Sequence, residues 1–198
     1  MDLFNNSPNL LPFDGEVYNF GILLDHKTSS NLFLKLMDTI PWQRDELVVY
    51  GKTIISKREA AWIGDKQLNY TYSGVTKRPS EWTSELLELK NKIEQICGTR
   101  FNSCLLNLYH DGAEGMSWHS DNEKELGEQP IIASLSIGAT RKFYFRHKTS
   151  KTKVELILES GHLLVMQGKT QKFWQHSVPK MLAIKSPRIN LTFRNIQI

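Results

Sequence analysis

Cysteine is almost absent from this sequence: Cys97 and Cys104 are the only two. Two thiols are too few for a disulfide framework or a Cys-based zinc site, so both are expected to pack in the core of a protein kept in a reducing compartment. No stretch approaches the roughly 18 apolar residues that a membrane span needs. Residues 1–11 hold no Lys or Arg and lack the apolar run of a signal peptide. Internal repeats and low-complexity tracts are missing too, which excludes solenoids and disordered arrays. These absences predict a soluble intracellular protein without a membrane partner, cytoplasmic in a bacterial source and nuclear in a eukaryotic one.

What is present is an ordinary folding composition, with 40% hydrophobic, 23% charged and 10% aromatic residues over 198 positions. That length suits one domain, expected over residues 15–198 behind a flexible tail at 1–14, and a monomer. The formal charge of +4 and a pI near 9.0 permit a polyanionic partner without requiring one. Ser30 can cap a short helix carrying Leu32, Phe33, Leu36, Met37 and Ile40, which Pro41 stops. A second helix after Pro79 and Ser80 places Trp82, Leu86, Leu89, Ile93 and Ile96 on one face and ends near Gly98. From residue 101 the pattern changes to short apolar runs at 104–108, 131–137, 142–145, 154–158, 162–166 and 189–196, separated by polar or Gly-containing turns. Two helices leading into many strands predict an α+β fold, a sandwich or barrel with the N-terminal helices packed on one sheet.

In Met116-Ser117-Trp118-His119-Ser120-Asp121, His119 and Asp121 are two residues apart, so an extended backbone points them to one side. His176 can supply a third ligand. Two His and one carboxylate leave three adjacent positions open on an octahedral metal, as Fe(II) needs to take a bidentate cosubstrate and then O₂. A zinc hydrolase would want one open position. H-x-D is common by itself, and most such pairs are surface polar residues, so the neighbouring motifs decide.

The C-terminal run Arg188-Ile189-Asn190-Leu191-Thr192-Phe193-Arg194 alternates strictly. Period two puts Arg188, Asn190, Thr192 and Arg194 on one face and the apolar residues on the other. A solvated edge strand would favour Lys and Glu there; two guanidinium forks on one face suit a dicarboxylate. Asn107 and Tyr109 share a face in the same way, with Leu106 and Leu108 opposite.

H-x-D, a distant His and R-x-N-x-T-x-R together resemble the AlkB family of 2-oxoglutarate dioxygenases, in particular its animal, duplex-acting DNA-repair members. The resemblance runs from about residue 47 to the end. It includes Asn107-Leu108-Tyr109-His110-Asp111-Gly112, the S-x-S-x-G strand Ala133-Ser134-Leu135-Ser136-Ile137-Gly138, and Phe143-Tyr144-Phe145-Arg146-His147-Lys148. It implies a double-stranded β-helix, or jelly roll, with a catalytic part at 101–198 and a nucleotide-recognition region at about 45–80. It implies that His119, Asp121 and His176 hold Fe(II), that Arg188 pairs with the distal carboxylate of 2-oxoglutarate, and that Asn107, Tyr109, Asn190, Thr192 and Arg194 line the same pocket, with Arg194 also counted as catalytic. O₂ is the co-reactant.

The implied function is oxidative demethylation of N-alkylated bases in DNA, 1-methyladenine and 3-methylcytosine above all, releasing succinate, CO₂ and formaldehyde. The base must leave its stack to reach the metal. Tyr70, Tyr72 and Ser73 resemble the family's aromatic base pocket, although alternating tyrosines more often pack a hairpin. Val48-Val49-Tyr50-Gly51-Lys52 resembles a hairpin finger with Tyr50 as wedge, Arg58 lies where relatives place a lesion-proximal arginine, and Glu123 matches an acid near the base. Asn122 replaces a second acid, and Met181, Leu182 and Ala183 stand where duplex-acting relatives carry basic residues. Two other readings are a 2-oxoglutarate dioxygenase acting on RNA or a protein side chain, and a non-catalytic jelly-roll binding module.

Overall fold

Strands account for most of the regular structure. The computed structural model describes residues 8–49, 52–68, 70–72 and 75–197. In chain order the elements are β1 (Glu16–Ile22), α1 (His26–Thr39), β2 (Gln43–Val49), β3 (Lys52–Gly64), β4 (Tyr70–Tyr72), β5 (Val75–Lys77), α2 (Ser84–Cys97), β6 (Ser103–Tyr109), β7 (Met116–His119), β8 (Ile132–Gly138), β9 (Arg141–His147), β10 (Lys153–Leu158), β11 (His162–Gln167), α3 (Thr170–Phe173), β12 (Trp174–Val178) and β13 (Arg188–Arg194). A seven-stranded sheet runs β1-β11-β8-β13-β6-β3-β2, and a four-stranded sheet runs β10-β9-β12-β7. Strands β4 and β5 form a separate small hairpin. Among the described residues no helix is long and apolar enough to cross a membrane.

The two main sheets face each other as a jelly roll, and period two explains how one strand serves two compartments. On β13, Ile189, Leu191 and Phe193 enter a core built with α1 and α2, through Leu36, Ile40, Leu86, Leu89 and Ile93. The alternate residues of β13 face the space between the sheets. Both helices therefore pack on the outer side of the larger sheet, as their apolar spacing predicts. Thr83 caps α2 by accepting from the Leu86 amide at 3.3 Å, and Gly98 ends it in the left-handed conformation, φ 62°. A second core, between the sheets, gathers Leu11, Val17, Phe143, Phe145, Met166 and Trp174. Cys97 and Cys104 lie in the first core; burial pushes the Cys97 thiol up to about 12 and raises that of Cys104 further, so both are inert packing groups.

Four expectations need correction. The cap of α1 is Asp25, not Ser30: Asp25 Oδ1 accepts from the Thr28 amide at 2.7 Å, which starts the helix at His26. The N-terminal half is more than two helices and a short hairpin finger at 48–52, because β1 and a longer β2–β3 hairpin close the two edges of the large sheet. Their alternation is diluted by polar residues, Lys57 to Glu59 among them, and only pairing with β6 and β11 makes them strands. Strands β7 and β12 also escaped the apolar-run reading, since each is short and sets a histidine among its inward apolar residues, Met116 on β7 and Trp174 and Val178 on β12. Finally, residues 9–14 are anchored rather than flexible. Asn9 Oδ1 accepts from the amides of Leu11 and Val17, Leu11 is 3% exposed, and the Phe13 carbonyl accepts from Trp174 Nε1 at 3.0 Å.

Candidate metal and cosubstrate site

Strand β7 ends at His119, and β12 pairs with it so that His176 lies directly across from His119. Asp121 follows on the chain leaving β7. The three side chains converge: one ligand atom from each lies within 4.8 Å of the others, and His119 Nε2 is 3.9 Å from Asp121 Oδ1. His119 Nδ1 donates to the Ser117 carbonyl at 2.8 Å, which places the proton on Nδ1 and leaves the Nε2 lone pair free for a metal. The Asp121 amide donates to Gln171 Oε1 at 2.9 Å, and Ser120 Oγ to the Trp174 carbonyl at 2.9 Å, so the carboxylate is aimed by buried partners. Phe143 stacks on His176 with centroids 5.5 Å apart. Two neutral imidazoles and one carboxylate, with a cavity on their open side, suit an octahedral Fe(II) that keeps positions free.

Electrostatics set the protonation states. Burial pushes the Asp121 carboxyl up, but Arg194, His176 and His119 outweigh it and hold it below the usual carboxylate range. Burial pulls His176 down from 6.5 to about 3, with Asp121 opposing only in part. A histidine depressed in the folded state binds fewer protons there than in the unfolded chain below pH 6.5. Stability of the metal-free protein is therefore intact above that pH and is lost as pH falls toward about 3. His162, also pulled down by burial, acts in the same direction. Denaturant melts between about pH 7 and pH 5 should show this decline, and His176→Gln should reduce its slope. A wild-type stability that is flat over this window would contradict the shielding of His176.

The cavity beside the triad, about 190 Å³, is lined by Asn107, Tyr109, Ser134, Asn190, Thr192 and Arg194 together with His119, Asp121, Glu123 and His176. Asn107 and Tyr109 come from β6, and Asn190, Thr192 and Arg194 from β13; the two strands pair with Arg188 opposite Tyr109 and Asn190 opposite Asn107. Arg188 is fully buried, and among the described residues no carboxylate pairs with it. Its Nη2 donates to Ser136 Oγ at 2.7 Å, its guanidinium lies 5.5 Å from the Tyr109 ring centre, and its Nε and Nη1 have no hydrogen-bond partner among the described residues. Burial lowers its pKa to about 10, which still leaves it charged at neutral pH. A buried guanidinium with orphaned N–H groups is costly unless an anion completes it. The residues present thus fit a carboxylate cosubstrate as well as a metal.

Arg194 stands differently. Its Nη2 is 2.8 Å from Asp121 Oδ2 and its Nη1 3.7 Å from Glu123 Oε1, so it steadies the metal-facing carboxylate and draws half-exposed Glu123 to the cavity rim. Arg58 donates through Nη1 to Asn107 Oδ1 at 2.5 Å, tying it to the cosubstrate-side shelf. Asn122 is exposed and does not line the cavity. Tyr70 and Tyr72 lie on β4 and Lys52 begins β3, but the side chains of all three lie outside what is described, as do Tyr50, Gly51 and Ser73 altogether. Met181 serves the scaffold: its amide donates to the Gly112 carbonyl, and its Sδ accepts from the Lys142 amide. A Cβ at Gly112 would sit 1.8 Å from the Met181 carbonyl oxygen, so only glycine permits this crossing.

Sequence reasoning missed Ser134 and Ser136 as site residues. Ser136 holds Arg188, and Ser134 Oγ accepts from Asn190 Nδ2 at 3.1 Å. The signal was there: alternate serines on a strand that pairs with β13 meet its polar face.

Comparison with known proteins agrees with this geometry. The sequence model of the 2OG-Fe(II) oxygenase superfamily matches residues 17–194. "Alpha-ketoglutarate-dependent dioxygenase alkB homolog 3" of Bos taurus is 43% identical over 183 residues, covering 87% of this chain and 63% of its own length. "DNA oxidative demethylase ALKBH2" of Mus musculus is 35% identical over 194 residues, covering 92% of this chain and 81% of its own. The chain thus spans less than two thirds of its alkB homolog 3 relative. A solved structure titled "The structure of OsALKBH1" superposes with a TM-score of 0.63 at 17% identity, covering 90% of this chain and 97% of that one, a likeness of fold. On the superfamily match and the ALKBH2 relative, this chain belongs to the 2OG-Fe(II) oxygenase superfamily and, within it, to the AlkB homologues.

Proposed function

We propose that this protein is an Fe(II)- and 2-oxoglutarate-dependent dioxygenase that removes methyl groups from the bases 1-methyladenine and 3-methylcytosine in DNA. One observation carries the reading: the His119–Asp121–His176 cluster opens into a cavity lined by Tyr109, Asn190 and Arg194, and behind Tyr109 and Asn190 lies the buried Arg188, which has no anionic partner among the described residues. The name of the mouse relative, a DNA oxidative demethylase, supports the substrate.

His119, Asp121 and His176 would hold Fe(II), and Arg188, with Tyr109, Asn107 and Asn190, would seat 2-oxoglutarate. The chemistry that these groups supply when bound is hydroxylation of an N-methyl carbon by O₂, with 2-oxoglutarate converted to succinate and CO₂; the hydroxymethyl product then releases formaldehyde. The chain's own part is positioning and water exclusion. Arg194 keeps Asp121 ionised and oriented, so the metal meets a full negative charge. Phe143 and Met166 wall the cavity against water. Glu123, at the rim, places a carboxylate where a cationic methylated base would enter, and a water-poor site strengthens that attraction. Residues 45–80, with Tyr70, Tyr72, Ser73 and Arg58 and with Tyr50, Gly51 and Lys52 as a finger, serve as the nucleotide-recognition region. Such a substrate implies an intracellular setting, and a single copy of the chain supplies every residue invoked.

Incubating the protein with Fe(II), 2-oxoglutarate, O₂ and oligonucleotides carrying either base should yield unmodified DNA, formaldehyde and one succinate per methyl removed. Mass spectrometry of the oligonucleotide reads the outcome. Succinate released without loss of either methyl would keep the dioxygenase and reject these substrates; turnover of methylated RNA alone would move the substrate class.

A further inference from the structure

Arg141 opens β9, was singled out by no sequence motif, and is 1% exposed. Among the described residues it has no carboxylate partner. Its hydrogen bonds go to three backbone carbonyls: Nη1 to Asp111 at 3.2 Å, Nη2 to Glu114 at 2.7 Å, and Nη2 to Pro179 at 2.8 Å. Its guanidinium also lies 5.8 Å from the Tyr109 ring centre, while Arg188 lies 5.5 Å from the same ring. Tyr109 is thus held between two buried cations.

The three carbonyls belong to two connections with particular neighbours. Residues 110–115 leave Tyr109 and lead to the β7 strand bearing His119; residues 179–187 leave the β12 strand bearing His176 and lead to Arg188. The connections also bond each other directly, Gly112 N to Ile184 O at 2.9 Å and Met181 N to Gly112 O at 2.7 Å. One guanidinium therefore ties together the chain leaving one half of the cosubstrate seat and the chain entering the other. A buried cation met by carbonyls and a phenol ring, with no carboxylate partner among the described residues, is an expensive way to fill a core, and an apolar side chain would cost less if packing were all that mattered.

We infer that Arg141 is a positioning residue for the cosubstrate: it locks the 110–115 and 179–187 connections so that Tyr109 and Arg188 meet the 2-oxoglutarate carboxylate at a fixed spacing. It does not touch the cosubstrate, since Tyr109 stands between. The metal ligands depend on it less, because β7–β12 pairing, Gln171 and Arg194 place them independently. The inference rests on the assignment of Tyr109 and Arg188 to the cosubstrate seat.

The test compares wild type, Arg141→Lys and Arg188→Ala, loaded with Mn(II) in place of iron, by calorimetric titration of 2-oxoglutarate. Lysine keeps the charge but cannot span three carbonyls. Arg141→Lys is expected to weaken 2-oxoglutarate binding by about tenfold or more, by analogy with the roughly 10–100-fold cost of losing an outer partner of a metal ligand. Its Mn(II) affinity without 2-oxoglutarate should stay within about threefold, and with saturating 2-oxoglutarate its kcat should recover while KM stays raised. A purely structural role would lower the melting temperature and leave the affinity of the folded protein unchanged, which would overturn the inference. Unchanged affinity in Arg188→Ala would overturn the seat itself, and this inference with it. Should Arg141→Lys not fold, hydrogen exchange on the wild-type Mn(II) protein decides. Adding 2-oxoglutarate is expected to slow exchange in both connections together, and unaltered exchange in either would sink the clamp.

Discussion

Replacing His119, Asp121 or His176 by alanine is expected to lower succinate release by well over a hundredfold, because loss of an outer partner alone typically costs 10–100-fold and these residues would be the ligands themselves. The three should differ in stability, which separates metal loss from unfolding. His119 is about a third exposed, and its removal should scarcely change the melting temperature of the metal-free protein. Asp121 is buried and carries the short contact to Arg194, so Asp121→Ala leaves a nearly buried guanidinium with only half-exposed Glu123 for company. Removing one partner of a buried pair costs about 3–5 kcal/mol, and Asp121→Asn should recover part of that stability without restoring activity. His176→Ala empties a space against Phe143 and falls between. Calorimetric Mn(II) titration alongside thermal melts checks all three. Activity within tenfold of wild type in any variant would remove that residue from the ligand set.

Arg188 offers the second large effect, with opposite signs for affinity and stability. Each hydrogen bond to a charged group is worth about 1.5–3 kcal/mol, so losing a paired carboxylate contact should raise the 2-oxoglutarate KM by at least about a hundredfold in Arg188→Ala. Arg188→Lys restores only the charge and should fall between. Without cosubstrate, however, the wild-type guanidinium is buried with Nε and Nη1 unpartnered among the described residues. Arg188→Met keeps the volume and deletes that burden, so the metal-free protein should melt at a higher temperature while failing to bind 2-oxoglutarate. A variant that loses affinity and stability together would show that Arg188 is a scaffold residue; an unchanged KM would show that the cosubstrate carboxylate lies elsewhere.

These two residue groups were legible in the sequence for different reasons. The alternation on β13 assigned Arg188, Asn190, Thr192 and Arg194 to one face before any coordinates, because strand geometry leaves no other arrangement. The spacing of His119 and Asp121 gave one side of a metal site in the same way. His176 was a candidate third ligand by resemblance alone; its approach to His119 depends on β12 pairing with β7, a contact between segments more than fifty residues apart.

The sequence by itself determined the local facts: which face of a strand is polar, where Gly98 ends α2, that two thiols would be buried, and that the C-terminal half would be strands. Tertiary structure alone decided where the two arginines of β13 diverge. Arg194 directs its charge to Asp121 and Glu123, whereas Arg188, six residues earlier on the same polar face and fully buried, meets the Ser136 hydroxyl, the Asn190 amide oxygen and the Tyr109 ring. It also made Arg141 a clamp, anchored residues 9–14 on Trp174, and turned the polar stretches of β1 and β3 into sheet edges. Periodicity records which side of the backbone a residue occupies; what stands on that side, and whether it returns a charge, depends on strands brought together from elsewhere in the chain.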